Sequence, residues 1–499
     1  MKNKIYIYIA LTALGISASG CKKFLEHTPD LRTQLNSTEK VAQLLTSAYP
    51  KGTYLDFTEL SSDNVEDKGP RSDYRTLSTA VSWERNYFWQ DFVSGSEEIS
   101  GTTDFYWSSA YLAIASANTA LQYIENNPID AKLRAYKGEA LVARAYAHFM
   151  LVNLYARTYV PNGTNNSPGI PFLTAPETVV SGKYSRETVA ETYAKIEKDL
   201  TDGMPLIDNS VYKAAPKYHF TLNAVNAFAA RFYLFKGDFA KSIMYAGKVL
   251  TTPDQIKPML RPWNTTYQNA AFDAFNIMFT QSSQNSNLLM GEANSVWARS
   301  HYIRYGFGRA TAAATVSAAN VTGGEFAYRG TGPFIEPFFT AYKFKELFFE
   351  SKIGSGFGDP YIMVPLFTVD ELLMNRAEAY TSSNQFDLAL QDINTFLSTR
   401  IKNYNPAAHT VTLARIASFY NITDPKEGLI KTILELKRAE FISEGIRWFD
   451  LNRHGLTIRH SMLDANGKTT FIELGKDDPR RLFQLPEAAV KAGLTLNPR

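Results

Sequence analysis

One cysteine in 499 residues, Cys21, has no second thiol to pair with, so no internal disulfide can brace the chain and packing has to hold it together. Neither charge sign dominates. Lys and Arg number 52 against 49 Asp and Glu, a net of +3 without basic clusters, which gives no support for binding nucleic acid or an acidic membrane surface. The signatures of common catalytic and cofactor sites are missing. Gly467-Lys468-Thr469 lacks the glycine that a phosphate loop needs five places earlier, where Met462 stands, so Asn466-Gly467 reads as a hairpin turn. Gly354, Gly356 and Gly358 do not have dinucleotide-binding spacing, and there is neither an H-E-x-x-H nor a G-x-S-x-G run. His148 sits alone on a helical stretch with no second histidine at metal-ligand spacing, and it reads as a packed side chain. No catalytic residue, metal or cofactor is expected.

What is present begins with Lys2 and Lys4, an apolar stretch from Ile5 to Ile16, and Ala18-Ser19-Gly20 before Cys21. The apolar stretch is shorter than the roughly 20 residues of a membrane span and has the layout of an export signal. Residues 1–20 are expected to be removed, which lowers the net charge to +1 as Lys2 and Lys4 leave, with Cys21 as lipid acceptor. The 45% hydrophobic content allows a large core. A first helix is expected with Thr38 as its cap. The acidic run Asp63, Asn64, Glu66, Asp67 lacks the order of an EF-hand loop and reads as a solvated turn. Two long helices follow, approximately Phe105 to Asn126, with Tyr111, Leu112, Ile114, Ala117, Leu121 and Ile124 buried, and Ala131 to Tyr155, rich in small residues. Prolines 161, 168, 171 and 176 break the chain into a surface connection, and helices resume with Ser185 as cap.

Internal repetition then appears. Ala230, Tyr233, Gly237, Phe239 and Ser242 are echoed at the same spacing by Ala377, Tyr380, Asn384, Phe386 and Ala389, each set spanning a helix, a tight turn and a second helix. Between the copies, residues 251–361 have the composition of loops and short strands and hold aromatic residues among Asn, Gln, Ser and Arg. Aromatic faces beside amide and guanidinium groups suit a sugar ring, and they equally suit a local core. Trp83, Trp89, Trp297, Tyr302 and Tyr305 are the candidate ligand-binding residues, expected in surface loops outside the helical hairpins.

The most specific stretch runs from Leu429 to Gly455. It opens as an amphipathic helix; then Glu444, Arg447, Asp450 and Arg453 recur by threes, so neighbouring pairs are expected to bridge along one helix side. Glu440, Glu444 and Asp450 are better read as members of a structural ion network than as catalytic acids. This stretch resembles the C-terminal signature of the SusD/RagB family of outer-membrane nutrient-binding lipoproteins, approximately E-R-R-x-E-L-x-x-E-G-x-R-W-F-D-L-x-R. Lys437, Arg438, Glu440, Phe441, Glu444, Gly445, Arg447, Trp448, Phe449, Asp450, Leu451 and Arg453 fill the corresponding places, with Lys437 replacing the first Arg and Phe441 replacing Leu. The Gly138-Glu139-Ala140 helix, with Arg144, Ala145, His148, Phe149, Leu151 and Val152, is similar to a second family pattern.

The resemblance implies a mostly α fold of tetratricopeptide-like hairpins (an α-α superhelix) carrying a large irregular insertion with short strands. The expected division is a signal at 1–20, an N-terminal helical region at 21–250, the insertion at 251–361 and a C-terminal helical region at 362–499. It further implies an outer-membrane lipoprotein, facing outward, that captures oligosaccharides or related nutrients for a SusC-type TonB-dependent transporter. A lipid-anchored glycoside hydrolase and a repeat scaffold for other proteins are the alternatives.

Overall fold

The computed structural model describes residues 35–70, 80–91, 99–179, 182–328 and 341–499. Residues 1–20, Cys21 and the side chain of Tyr302 lie outside the described residues. The N-terminal elements are α1 (Thr38–Leu45), α2 (Leu55–Ser61), α3 (Ala80–Tyr87), α4 (Thr103–Glu125), α5 (Ala131–Tyr155) and α6 (Val189–Gly203). Helix α5 is the axis of this region. Every residue from Gly138 to Tyr155 is buried, and α4 and α6 pack on it from two sides. The small residues make this approach feasible: a Cβ on Gly138 would lie 2.9 Å from the carbonyl oxygen of Gly203. Asp130 caps α5 through the N–H of Leu133, and Thr188 forms a reciprocal capping box with Glu191 at the start of α6. The caps expected at Thr38 and Ser185 are displaced to Ser37 and Thr188. Leu112, expected inside, is 67% exposed.

The repeated motif forms two hairpins, α7 (Leu222–Lys236) with α8 (Phe239–Gly247) and α9 (Val369–Ser382) with α10 (Phe386–Leu397). Their turns use backbone that favours glycine or asparagine, with φ +82 at Gly237 and +58 at Asn384. Although far apart in sequence, the hairpins pack side by side through α7, α8 and α9. Buried Arg–carboxylate forks tie the scaffold together: Arg144 to Asp199 between α5 and α6, Arg231 to Glu371 between the two hairpins, and Arg376 to Asp392 within the second.

The segment between the hairpins supplies a three-stranded antiparallel sheet in the order β2-β5-β4, after a two-residue strand β1 (Glu66–Asp67) that pairs with β3 (Tyr305–Gly306). Here β2 is Asn287–Asn294, β4 is Leu347–Glu350 and β5 is Gly358–Thr368, which leads directly into α9. Then come α11 (Leu413–Tyr420), α12 (Pro425–Glu440), α13 (Arg447–Arg453) and the hairpin β6 (Ile458–Leu463) and β7 (Thr469–Leu474). Gly467 turns that last hairpin at φ +80, as expected of Asn466-Gly467. The fold is mostly helical with short strands in the insertion. One hydrophobic cluster runs through α1 to α10, the β2-β5 pair, α12 and α13, so the N-terminal region, the insertion and the C-terminal region share a core.

Candidate functional site

The signature stretch does not form one helix. Helix α12 ends at Glu440, a turn covers residues 441–446, and α13 begins at Arg447. Within that turn Ser443 and Gly445 have φ +65 and +69, and a Cβ on Gly445 would lie 2.4 Å from Thr58 Oγ1 and 3.0 Å from Leu55 Cα. The break corrects the expected ladder of bridges. Of the pairs at three-residue spacing, the one seen is Asp450–Arg453, at 3.0 Å. Arg447 instead makes a two-pronged contact with Asp63, at 2.8 and 2.9 Å. The run containing Asp63 is therefore no solvated turn: Asn64 is fully buried and Asp67 pairs with Arg304.

Glu440 and Glu444 enter a cluster of three cations and three anions, all with side chains at most 5% exposed. Arg261 donates to Glu440 at 2.9 Å and to Glu444 at 2.8 Å, Lys343 to Glu444 at 2.7 Å, and Arg400 to Glu440 at 3.0 Å and closely to Asp370. Trp263 Nε1 donates to Glu440 at 3.1 Å. The Arg261 guanidinium lies 4.2 Å from the Phe279 ring centre and that of Arg400 3.9 Å from Phe396. Burial pushes the Glu440 carboxyl up, but Arg400, Arg261 and Lys343 outweigh it and hold its pKa down at about 2. Asp450 is likewise paired, with Lys437 at 2.8 Å. All three carboxylates are committed to protein cations, the arrangement of a structural network.

The candidate binding aromatics fall into two packed groups. Trp83 and Trp297 meet edge to face at 5.7 Å, with Trp83 Nε1 donating to Asp56 at 3.2 Å and Trp297 Nε1 to the Ser443 carbonyl at 3.0 Å. Around His460 a column forms: Tyr305 stacks on Tyr87 at 4.4 Å, Tyr87 on His460 at 4.3 Å, and His460 on Trp89 at 4.4 Å. Trp89 holds φ +50, an unfavourable backbone state for a bulky residue, and donates its Nε1 proton to the Ser61 carbonyl at 2.9 Å. The expected exposure of these rings is corrected: Trp83, Trp297, Trp89 and Tyr305 are 1, 3, 6 and 9% exposed. Trp83 lies on α3 rather than in a loop, and rings covered on their faces and with their N–H groups bonded present no stacking surface. The insertion builds a further small core from Trp263, Tyr267, Phe275 and Phe279. Of the unexpected members, Arg261 and Lys343 carry no local signal, since each meets the signature only through the fold.

His148 is buried, with Nδ1 2.9 Å from the Arg144 carbonyl and Nε2 accepting from the Leu173 N–H at 3.1 Å. Those two partners require a neutral ring protonated on Nδ1, and burial holds its pKa at about 3. Among the described residues no group of three His, Cys, Asp or Glu side chains is placed to hold a metal ion, and no helix is long and apolar enough to cross a membrane. A solvent-connected cavity of about 470 Å³ lies between residues 157–186 and the C-terminal tail, with Leu482 in its lining.

A helical scaffold of paired hairpins with a sheet-bearing insertion and a buried, charge-matched signature turn defines the class. Residues 23–234 match the family described as SusD-like, starch-binding associating with outer membrane. Forty-eight solved chains share the fold. They include a SusD superfamily protein of Bacteroides thetaiotaomicron (18% identity, TM-score 0.65, 93% of this chain and 100% of that one). A SusD superfamily protein of Bacteroides fragilis is similar (18%, TM-score 0.67, 92% and 98%). So is a SusD-like carbohydrate binding protein of Bacteroides vulgatus (17%, TM-score 0.56, 92% and 97%). No curated protein sequence matches the chain. The SusD/RagB resemblance is thereby shown, by the family match over the N-terminal region and by the SusD-like fold of the whole.

Proposed function

We propose that this chain is a cell-surface lipoprotein, anchored through Cys21, that captures oligosaccharides and passes them to a SusC-type TonB-dependent transporter in the outer membrane. The match of residues 23–234 to a starch-binding, outer-membrane-associating family carries the reading. The signature supports a binding rather than a hydrolytic role, because Glu440, Glu444 and Asp450 are each neutralised by buried cations. Trp83, Trp89, Trp297 and Tyr305, packed where the insertion meets α2 and α3, hold that region in shape rather than meet the ligand. The test is calorimetric titration of the purified protein with malto-oligosaccharides, other neutral glycans and peptides, with chromatography of each mixture after prolonged incubation. Saccharide binding without new products is expected. Release of shorter saccharides would replace the capture reading with the hydrolase alternative, and binding of peptides alone would move the ligand class.

A further inference from the structure

The cavity of about 470 Å³ lies within the range of small-molecule sites and is walled by two segments far apart in the chain. One wall is residues 184–186 with Arg157 and Ser167; the other is the tail from Gly493 to Pro498. The walls are joined by firm bonds. Tyr184 N–H donates to the Ala492 carbonyl at 3.0 Å, Lys183 Nζ to the Lys491 carbonyl at 2.7 Å, and Arg186 Nη1 to Asn497 Oδ1 at 2.8 Å.

The charge of this cavity is unbalanced. The Arg186 guanidinium spends its donors on the carbonyls of Gly169, Pro168, Tyr155 and Thr495 and on the Asn497 amide oxygen, and touches no carboxylate among the described residues. Burial pulls its pKa down from the ordinary guanidinium value. Arg157 is exposed and has no hydrogen-bond or ion-pair partner among the described residues. No Asp or Glu lines the cavity. Glu187, next in sequence to Arg186, is engaged by Lys195, and Glu487 by Lys491 at 3.0 Å. Buried Arg144, Arg231, Arg261, Arg376, Arg400 and Arg447 each face a carboxylate, whereas buried Arg481 is satisfied, like Arg186, by backbone carbonyls and an asparagine oxygen, so what sets this cavity apart is the exposed Arg157 beside that fixed charge. Beside the two guanidinium groups stand the Ser167 and Ser185 hydroxyls and the half-buried Tyr184 ring, which suit a polyhydroxylated ring carrying one negative charge.

We propose that this cavity is a binding site for an acidic saccharide unit, with Arg157 as the free guanidinium that pairs with the sugar carboxylate and Arg186 as the fixed charge behind it. The assignment rests on the saccharide-capture reading and narrows it to uronate-bearing ligands at this position. Trigalacturonate, its fully methyl-esterified form and maltotriose are the probes, titrated into the full protein and into Arg157→Gln and Arg157→Glu variants. Arg157 holds no partner, so both variants should melt with the parent. Trigalacturonate is expected to bind, with the ester weaker by about ten-fold or more, the loss that one charge-assisted hydrogen bond implies. Arg157→Glu should remove that preference, and raised salt should weaken the acid selectively. Equal affinity for acid and ester, or an Arg157→Glu variant that still prefers the acid, would overturn the site. If maltotriose binds and trigalacturonate does not, the acidic site falls and saccharide capture stands. If peptides bind and no saccharide does, both fall.

Discussion

Replacing Glu440 by glutamine removes one negative charge from a buried cluster that holds three cations against three anions and leaves Arg261 and Arg400 facing an amide. Breaking a buried pair in this way costs about 3–5 kcal/mol, because the abandoned charge is neither solvated nor compensated. A second route gives a similar figure. The Glu440 pKa falls from an ordinary 4.5 to about 2 in the fold, which corresponds to about 3 kcal/mol at neutral pH. A carboxyl depressed in the folded state contributes fully above its unfolded pKa and loses that contribution as pH falls through the folded one. The gap between parent and Glu440→Gln should therefore be complete at pH 7, begin to close below about pH 4.5, and be reduced to about half by pH 3. Urea unfolding followed by tryptophan fluorescence from pH 7 to pH 3 measures it. Saccharide affinity of the folded variant should equal that of the parent. A gap under about 1 kcal/mol at pH 7, or one that stays constant with pH, would refute the reasoning. So would a variant of parental stability that no longer binds, since it would give Glu440 a ligand role.

Arg447→Ala should lower stability by about 2–4 kcal/mol, because Asp63 loses a two-pronged partner in a site where its side chain is 18% exposed, and the double variant with Asp63→Ala should recover part of that loss in denaturant unfolding. Trp297→Ala should cost about 3–5 kcal/mol through the cavity it leaves against Trp83, with saccharide affinity of the folded fraction unchanged. If it instead melts like the parent and loses binding, Trp297 is a stacking surface after all. Cys21→Ala should yield a folded protein that leaves the outer-membrane fraction in cells lacking the transporter, measured by fractionation; retention there would dismiss lipidation as the anchor.

The long helices and the two hairpins were legible because their signals are local. Ala131 to Tyr155 carries a continuous apolar and small-residue pattern between a capping Asp and a chain break, and Gly237 and Asn384 mark turns that need positive φ. The partners of the signature were not legible. A spacing of three promises bridges only if the helix continues, and here the chain turns at Ser443 and Gly445, which rotates Arg447 toward Asp63 and leaves Glu444 facing Arg261 and Lys343. The aromatic residues misled for a related reason. Gly, Ser and Asn around Trp297 and Tyr305 suggest an exposed loop, yet Trp297 opens a short 3-10 helix, Tyr305 lies on β3, and both side chains are buried. Trp297 reaches the Ser443 carbonyl across the fold, a contact invisible in its neighbours.

That same contact explains what the signature does. Ser443 in left-handed backbone and Gly445 pressed against Leu55 and Thr58 make a turn that local preference alone would not select. It is held from outside: Glu59 of α2 accepts the N–H groups of Ser443 at 2.6 Å and Gly445 at 3.1 Å, Trp297 from the insertion caps the Ser443 carbonyl, and Arg261 and Lys343 take Glu444. The N-terminal region that matches the family and the C-terminal stretch that resembles its signature are thus two sides of one packed junction. A motif fixed by such a junction is constrained by folding rather than by the ligand. Ligand preference is then left to groups the junction does not use, and Arg157, exposed beside the cavity and without a partner among the described residues, is one of those.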